Sequence, residues 1–250
     1  MRLSERDILI KTMITGKIKE QILSRLTQRG WKAHICYKGK LWVWWGITIN
    51  LSYGLKRTLD VLIASSALIL LFPLFVLTAL AIVLENHGPI FYIQTRVGEK
   101  GRHFRFYKFR SMSIDSERIK SRLMDRNESQ DGVIFKMKKD PRITRVGRII
   151  RKLSIDELPQ LINVIKGDMS LVGPRPPLPK EVHHYTLEQR KRLHIRPGIT
   201  CIWQVSGRSD IPFTGQVRLD LEYLQSTSLL TDLVILMKTI PAVLTGRGAY

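Results

Sequence analysis

The sequence predicts a mostly helical α/β fold that is attached to a membrane through one proline-kinked helix and that contains a β-hairpin. Residues 61–84 form an apolar segment without a charged residue, interrupted by Pro73. Two aromatic and β-branched runs follow, joined by a Gly-Glu-Lys-Gly turn at residues 98–101. Residues 8–28 and 142–151 carry apolar residues at helical spacing.

The length of 250 residues suffices for one domain, predicted at 52–250, preceded by an extension at 1–51. Charged residues make up 25% and hydrophobic residues 44%, which argues against global disorder. The net charge of +20 predicts an anionic partner: nucleic acid, anionic lipid or phosphorylated substrates. Cys36 and Cys201 lie far apart and match no metal-binding spacing, so neither a disulfide framework nor a zinc site is expected.

The predicted extension contains two elements. Residues 8–28 place isoleucine or leucine at four-residue intervals among charged residues, which predicts an amphipathic helix ending near Gly30. Residues 41–51 are apolar and aromatic but shorter than the roughly 20 residues that cross a bilayer. They form either an interfacial element, which suits their tryptophans, or a core element.

The apolar segment 61–84 is long enough to cross a hydrocarbon core about 30 Å thick. Pro73 removes one helical hydrogen bond and therefore predicts a kink or break. Both flanks of the segment are rich in Lys and Arg, and such flanks stay on the cytoplasmic side. A helix at about 58–84 that enters and leaves through one leaflet satisfies both flanks. A plain transmembrane helix is the alternative, because spanning helices tolerate proline.

The elements after this segment combine strands with basic helices. In the predicted hairpin, Lys108 and Arg110 point to one face. Residues 116–126 are polar and predict a solvated helix or loop. Residues 142–151 predict a helix with an apolar side and a basic stripe, which would lie on anionic headgroups or face phosphates; the stripe is formed by Arg142, Arg145, Arg148 and Arg151.

Residues 151–177 hold the side chains best suited to chemistry. Ser154 and Glu157 have the spacing of a capping box, and Asp156 would favour a helix N-terminus. Alternatively, Asp156 and Glu157 follow clustered cations and could hold magnesium with the phosphates of a nucleotide. Either carboxylate could also attack phosphorus. The residues by themselves leave both interpretations open.

The sequence GPRPP at residues 173–177 is stiff, because its prolines fix the backbone φ. It presents Arg175 either for binding an anion or as an incidental residue of a rigid linker. Arg208 lies in a turn after a predicted strand at 199–205 and is a weaker candidate for phosphate contact. The sequence contains neither a Walker A loop nor a GxGxxG fingerprint, so a nucleotide would be bound by other means.

Several separated motifs occur in one order: KRTLD at 56–60, GPIFYIQTRVGEKG at 88–101, FYKFRSM at 106–112, DPRITRVGRIIRKLSIDELPQLINVIKGDMSLVGPRPP at 140–177, RPGIT at 196–200 and a final GRGAY. This combination resembles the bacterial sugar transferases, the monotopic polyprenyl-phosphate phosphoglycosyl transferases that start capsule, exopolysaccharide and O-antigen (lipopolysaccharide) assembly. Residues 1–50 depart from the family, whose larger members carry several transmembrane helices and a further domain at that point.

The resemblance implies site residues. Asp156 matches the nucleophile, and Glu157 matches its partner in metal or proton handling; both would hold Mg²⁺ as the cofactor. The matching candidates for phosphate or uridine-nucleotide binding are Lys108, Arg110, Arg151, Arg175 and Arg208.

The resemblance also implies the reaction: sugar 1-phosphate passes from a UDP-sugar to undecaprenyl phosphate through a phosphosugar-aspartate, and UMP is released. The implied location is the cytoplasmic face of the bacterial inner membrane, with anionic lipid as a further partner and a re-entrant helix. Glucose or galactose is expected, while N-acetylated and diamino sugars and a homo-oligomer stay open. One alternative is a basic nucleic-acid-binding module, which lacks a supporting motif. Another is an inactive scaffold, against which the intact SIDELPQ motif argues.

Overall fold

The computed structural model describes residues 53–116, 118–119, 137 and 140–246. The chain divides into two units at Leu55 and Lys56, and the elements below belong almost wholly to the second. The helix predicted at 8–28, the apolar segment 41–51 and most of the polar segment 116–126 lie outside the described residues.

Two helices replace the single predicted membrane helix. Helix α1 (Tyr53–Leu70) and helix α2 (Phe72–Glu85) meet at a bend of 60°. Pro73 lies in the first turn of α2, where its missing N–H costs no bond within that helix. The predicted kink is thus confirmed. Within the described part of the chain, no single helix is long and apolar enough to cross a bilayer, and only this bent pair together reaches the required length and composition.

The predicted β-hairpin is also confirmed. Strand β1 (Phe91–Val97) pairs with strand β2 (His103–Phe109) in antiparallel register, with Phe91 opposite Phe109. A short 3-10 helix, Glu99–Gly101, closes the turn. Stacked aromatic rings of Phe91 and Phe109, 5.3 Å apart, reinforce the open end of the hairpin.

The rest of the unit is mostly helical, as predicted. In chain order it contains α3 (Arg145–Lys152), a 3-10 helix (Ile155–Glu157), α4 (Gln160–Lys166), β3 (Ser170–Val172), α5 (Pro179–His183), α6 (Leu187–Arg190), a 3-10 helix (Lys191–His194), β4 (Gly198–Thr200), α7 (Ile202–Ser206), a 3-10 helix (Arg208–Asp210), α8 (Phe213–Ser226) and α9 (Leu229–Thr245). Strands β3 and β4 are parallel and form a second two-stranded sheet.

Two local predictions are wrong. The strand expected at 199–205 ends at Thr200, because Ile202 and Val205, one helical turn apart in α7, both pack against the core. The basic stripe loses Arg142, which precedes α3 and is buried in an ion pair with Asp140, Nη2 to Oδ2 2.6 Å. A buried arginine requires such a partner, so Arg142 is a structural residue rather than a surface charge.

The main core joins α1 to the hairpin, the second sheet and the C-terminal helices. Its buried side chains are Ala64, Phe106, Leu161, Val164, Met169, Leu171, Val172, Tyr223 and Ile235. A second contact ties α2 to α3: the carboxylate of Glu85 accepts the backbone N–H groups of Arg145 and Val146 at 2.6 and 2.9 Å. Because α3 leads directly into the Asp-Glu pair, these contacts fix the frame of the candidate site.

Candidate active site

Asp156 and Glu157 lie in the 3-10 helix between α3 and α4. Ser154, just before it, adopts a left-handed backbone conformation with φ of 55°, and its side chain caps no backbone N–H. The capping-box interpretation is therefore wrong. The Glu157 carboxylate contacts Lys108 instead, with 2.6 Å between Oε1 and Nζ.

Lys108 lies between the two carboxylates. It is on strand β2, and its Nζ is 2.6 Å from Glu157 Oε1 and 3.6 Å from Asp156 Oδ2. Arg175 Nη1 is 3.6 Å from the same Glu157 oxygen. Residues from three separate parts of the chain thus form one charged cluster, which we call the Asp156 cluster: Lys108, Asp156, Glu157 and Arg175.

The position of Lys108 depends on a buried asparagine that the sequence analysis missed. Asn163 of α4 has no solvent exposure, accepts the N–H of Tyr107 at 3.2 Å and donates to the carbonyl of Arg105 at 2.7 Å. These bonds hold α4 against β2 on the residue next to Lys108. The only signal in the sequence is one amide in the otherwise apolar run LINVI.

The surroundings shift the pKa values of the two carboxylates in opposite directions. Burial raises the pKa of Asp156; the charge of Lys108 opposes this, while the charge of Glu157 adds to it. Burial acts in the same direction on Glu157, but the charges of Lys108 and Arg175 outweigh it and lower the pKa of Glu157. Glu157 is therefore the firmly ionised partner, and Asp156 is the more basic oxygen. Such a separation is typical of carboxylate pairs with two distinct roles.

The other predicted cations occupy different positions. Arg208 donates from Nη2 to Ser154 Oγ at 3.3 Å, and its charge also lowers the pKa of Glu157. Arg151 lies in the last turn of α3, and its charge acts to lower the pKa of Asp156. Both therefore belong to the electrostatic surroundings of the Asp156 cluster.

Arg110 is the exception. It lies one residue beyond strand β2 and is buried, and it donates to the backbone carbonyls of Asn86 and, at 3.5 Å, His87. These carbonyls follow the end of α2. The structure therefore does not bring Arg110 to the carboxylates, and its visible contacts anchor the end of the bent helix pair.

Asp156 and Glu157 are the candidate ligands of Mg²⁺. Within the described part of the chain, no three His, Cys, Asp or Glu side chains cluster in a way that would hold a metal ion. Mg²⁺, however, is commonly bound by one or two carboxylates together with waters and substrate phosphates. Asp156 and Glu157 are consecutive residues, and each has an oxygen near Lys108 Nζ, at 3.6 and 2.6 Å. Two carboxylates fit that mode of binding, in which the substrate completes the coordination.

The sequence is similar to a known protein family and to several of its members. Residues 51–246 match the model of the family described as bacterial sugar transferase. The galactosyl transferase CpsE of Streptococcus agalactiae serotype III is 51% identical over 166 residues, which are 66% of this chain but only 37% of that protein. The exopolysaccharide production protein ExoY of Sinorhizobium fredii is 45% identical over 198 residues, 78% of this chain and 88% of that protein.

A third relative is the UDP-glucose:undecaprenyl-phosphate glucose-1-phosphate transferase of Caulobacter vibrioides. It is 41% identical over 203 residues, 78% of this chain and 72% of that protein. The family match covers the bent helix pair, the hairpin and the whole Asp156 cluster. The chain therefore belongs to the bacterial sugar transferase family.

Proposed function

We propose that the protein transfers a sugar 1-phosphate from a UDP-sugar to undecaprenyl phosphate and releases UMP, and that this reaction initiates exopolysaccharide, capsule or O-antigen assembly. The observation that carries the proposal is the buried Asp156 beside Glu157 and Lys108. The family match supports it, and the Caulobacter relative bears the name of this reaction with UDP-glucose.

In the first step, a carboxylate oxygen of Asp156 attacks the sugar-bearing phosphorus. The bond from that phosphorus to the bridging oxygen breaks, UMP leaves with the bond electrons, and a phosphosugar-aspartate remains. Burial supports this role in two ways. The raised pKa of Asp156 makes its oxygen more basic than that of an exposed aspartate, and restricted access of water limits hydrolysis of the intermediate.

In the second step, a phosphate oxygen of undecaprenyl phosphate attacks the same phosphorus. The Asp156 carboxylate leaves unchanged, and the product is a lipid diphosphate sugar. Glu157 remains ionised throughout and holds Lys108 beside the reacting group.

In the transition state of both steps, negative charge develops on the phosphate oxygens. Cations placed beside those oxygens are therefore the main source of rate acceleration. Lys108 and Arg175 converge on Glu157, which supports a role for both in binding those oxygens. Arg151 and Arg208 contribute positive potential from farther away. When Mg²⁺ is bound, Asp156 and Glu157 would hold it, and the ion would offset further phosphate charge.

The bent helix pair supports attachment to the cytoplasmic face of the bacterial inner membrane. Around the bend, Ile69, Leu70 and Phe72 are 79%, 80% and 64% exposed. Exposed apolar area costs roughly 25 cal/mol per Å² in water, so this surface favours lipid.

Basic residues flank the apolar segment 61–84 on both sides, which favours a re-entrant path. On the N-terminal side, Lys56 and Arg57 lie inside α1, where Lys56 pairs with Asp232 and Arg57 donates to backbone carbonyls. Contact with anionic lipid is therefore assigned to the exposed cations after α2: Lys100, Arg102 and Arg105. The excess positive charge is then explained by lipid and phosphate ligands, without nucleic acid.

The sugar is proposed only as a hexose of the kinds named for the relatives: galactose for the streptococcal protein and glucose for the Caulobacter protein. The Asp156 cluster contacts phosphate in this proposal and does not discriminate between the two. A panel of UDP-sugars, scored by UMP release with undecaprenyl phosphate present, identifies the substrate.

The covalent route is tested with the donor whose sugar carries a radiolabel, in the absence of lipid acceptor. The purified protein should release up to one equivalent of UMP, and the label should remain with the denatured protein. Asp156→Asn should show neither effect, because the amide keeps the shape but lacks the attacking oxyanion. Asp115→Asn is the control, since that carboxylate is exposed and its ion-pair partner is Arg118. A strict need for the acceptor before any UMP appears, with no labelled protein, would contradict the aspartate intermediate.

A further inference from the structure

Residues 174–177, which we call the Arg175 segment, are held almost only through their backbone carbonyls. Three of its four residues, Pro174, Pro176 and Pro177, have no N–H, so the backbone can be anchored almost solely through its carbonyl oxygens. Each of the four carbonyls accepts a hydrogen bond: Pro174 from Gly198 N–H at 2.9 Å, Arg175 from Arg192 Nη2 at 3.4 Å, Pro176 from Arg96 Nη1 at 3.1 Å, and Pro177 from Val97 N–H at 3.0 Å.

Two of these donors are guanidinium groups that reach the segment from distant elements. Arg192 is 5% exposed; it forms an ion pair with Asp220, which is 1% exposed, and donates to Tyr185 OH at 3.2 Å. A buried cation is costly unless it is paired, and here the pairing with Asp220 leaves Arg192 able to donate to a neutral carbonyl. Arg192 is thereby fixed independently of Arg175.

Arg96 reaches the segment from the hairpin. It lies on β1, and its guanidinium lies over the ring of Phe106 with 5.3 Å to the centroid. Lys108 Nζ is 5.6 Å from the same ring. The hairpin that carries Lys108 therefore also carries a donor to the Arg175 segment, so the two cations that contact Glu157 share one support.

Of the residues from Gly173 to Pro177, only the side chain of Arg175 reaches the surface. Gly173, Pro174, Pro176 and Pro177 are buried, and only Arg175 is partly exposed. The close packing leaves no room for adjustment: a Cβ added to Gly198 would lie 2.0 Å from the backbone nitrogen of Gly173. Arg175 is thus the single side chain that projects from a segment fixed on both sides.

We infer that Arg96 and Arg192 are positioning residues, which set the place of Arg175 beside Glu157 by holding the carbonyls of Pro176 and Arg175. We call these two residues the carbonyl clamp. The inference rests on the proposed function, because it takes Arg175 to bind a phosphate of the UDP-sugar. It adds that two further arginines act on turnover through the backbone of Arg175 and not by contact with substrate.

The test compares two clamp variants with one control. Arg96→Gln replaces the first guanidinium with an amide two bonds shorter, so that its N–H groups no longer reach the Pro176 carbonyl. The double change Arg192→Gln with Asp220→Asn shortens the second donor in the same way and leaves no unpaired buried charge. Arg190→Gln is the matched control, since Arg190 also donates to a carbonyl, that of Tyr185 at 3.4 Å, outside the Arg175 segment. We expect kcat/KM for the UDP-sugar to fall about tenfold or more in each clamp variant, and by less than twofold in the control.

A double-mutant cycle separates positioning through Arg175 from a general loss of stability. In an Arg175→Ala background, adding Arg96→Gln should lower kcat/KM by less than twofold, because the side chain being positioned is already absent. An unchanged tenfold loss in that background would overturn the inference. If the Arg192 and Asp220 double variant does not fold, the Arg96 cycle still decides.

Hydrogen exchange gives a readout that does not depend on turnover. Between residues 174 and 177 the only backbone amide is that of Arg175. Exchange in a peptide spanning this segment should be faster in the clamp variants than in wild type and Arg190→Gln. Unchanged exchange would overturn the clamp. If the wild-type protein turned over no UDP-sugar while exchange responded as expected, the proposed function would fail and the clamp would stand.

Discussion

Asp156 and Glu157 are neighbouring side chains of the same chemical type, and their surroundings give them opposite tendencies. Lys108 is 1.0 Å closer to Glu157 than to Asp156, at 2.6 against 3.6 Å, and Arg175 also contacts Glu157. The cations therefore compensate mainly one member of the pair. The other member is buried with less compensation, which is the condition for a basic and reactive carboxylate.

The pH dependence of turnover should report on this arrangement. Because burial raises the pKa of Asp156, activity should be lost, as pH falls, at a higher pH than the roughly 3.9 of an ordinary aspartate. Removing the negative charge of Glu157 also removes one cause of that rise, so in Glu157→Gln the acid limb of kcat/KM should shift to lower pH. The pH profiles of residual activity provide the measurement. A shift to higher pH would show that another group controls the limb.

Arg175 should be sensitive even to a conservative change. Arg175→Lys keeps the positive charge but loses the planar, multidentate guanidinium, so kcat/KM should fall by roughly tenfold or more. The amount of protein in membranes should not change, because the Arg175 side chain is partly exposed and outside the core. Full turnover in Arg175→Ala would return the segment to the role of a rigid linker.

The sequence motifs predicted which side chains come together in the Asp156 cluster, but they did not predict the contact partners of every residue. The KFR, DE and PRP motifs supplied Lys108, Glu157 and Arg175, which the structure brings together; their catalytic roles remain predictions. Arg110 shares the first motif with Lys108 but contacts carbonyls after α2. Local sequence cannot separate the two, because their different partners are set by tertiary packing.

Helices and strands were easier to predict where one physical cause dominates. Pro73 marks the bend and the Gly-Glu-Lys-Gly turn marks the hairpin, because each acts through local backbone geometry. The strand expected at 199–205 failed, since a short apolar run fits a strand or a buried helical turn equally well. The contacts of Arg96 and Arg192 with the Arg175 segment leave no pattern in the sequence, because the acceptors in that segment are backbone carbonyls.

The bend between α1 and α2 should depend on Pro73. In a continuous helix, its ring would clash with the carbonyl four residues earlier and one hydrogen bond would be missing. Pro73→Leu removes both obstacles, so it should favour a straight helix that spans the membrane. Single cysteines placed on either side of the pair and treated with a membrane-impermeant reagent would detect the change. Unchanged labelling and activity would show that packing around the bend, and not Pro73, determines its angle.

For the whole molecule, the basic flanks of the apolar segment 61–84 predict one topology. Tags near Met1 and near Tyr250 should both report the cytoplasm, because Lys- and Arg-rich segments on both sides favour that face. Accessibility in intact cells, compared with permeabilised cells, provides the measurement. Periplasmic labelling of either tag in an active protein would contradict the re-entrant arrangement and favour a spanning helix.

The proline-rich segment after β3 also affects the unfolded chain. Prolines at three of its four positions fix the backbone φ before folding begins, so this segment has fewer conformations to lose than other segments of the same length. The hydrogen bonds to its four carbonyls therefore have less conformational entropy to overcome when they place Arg175.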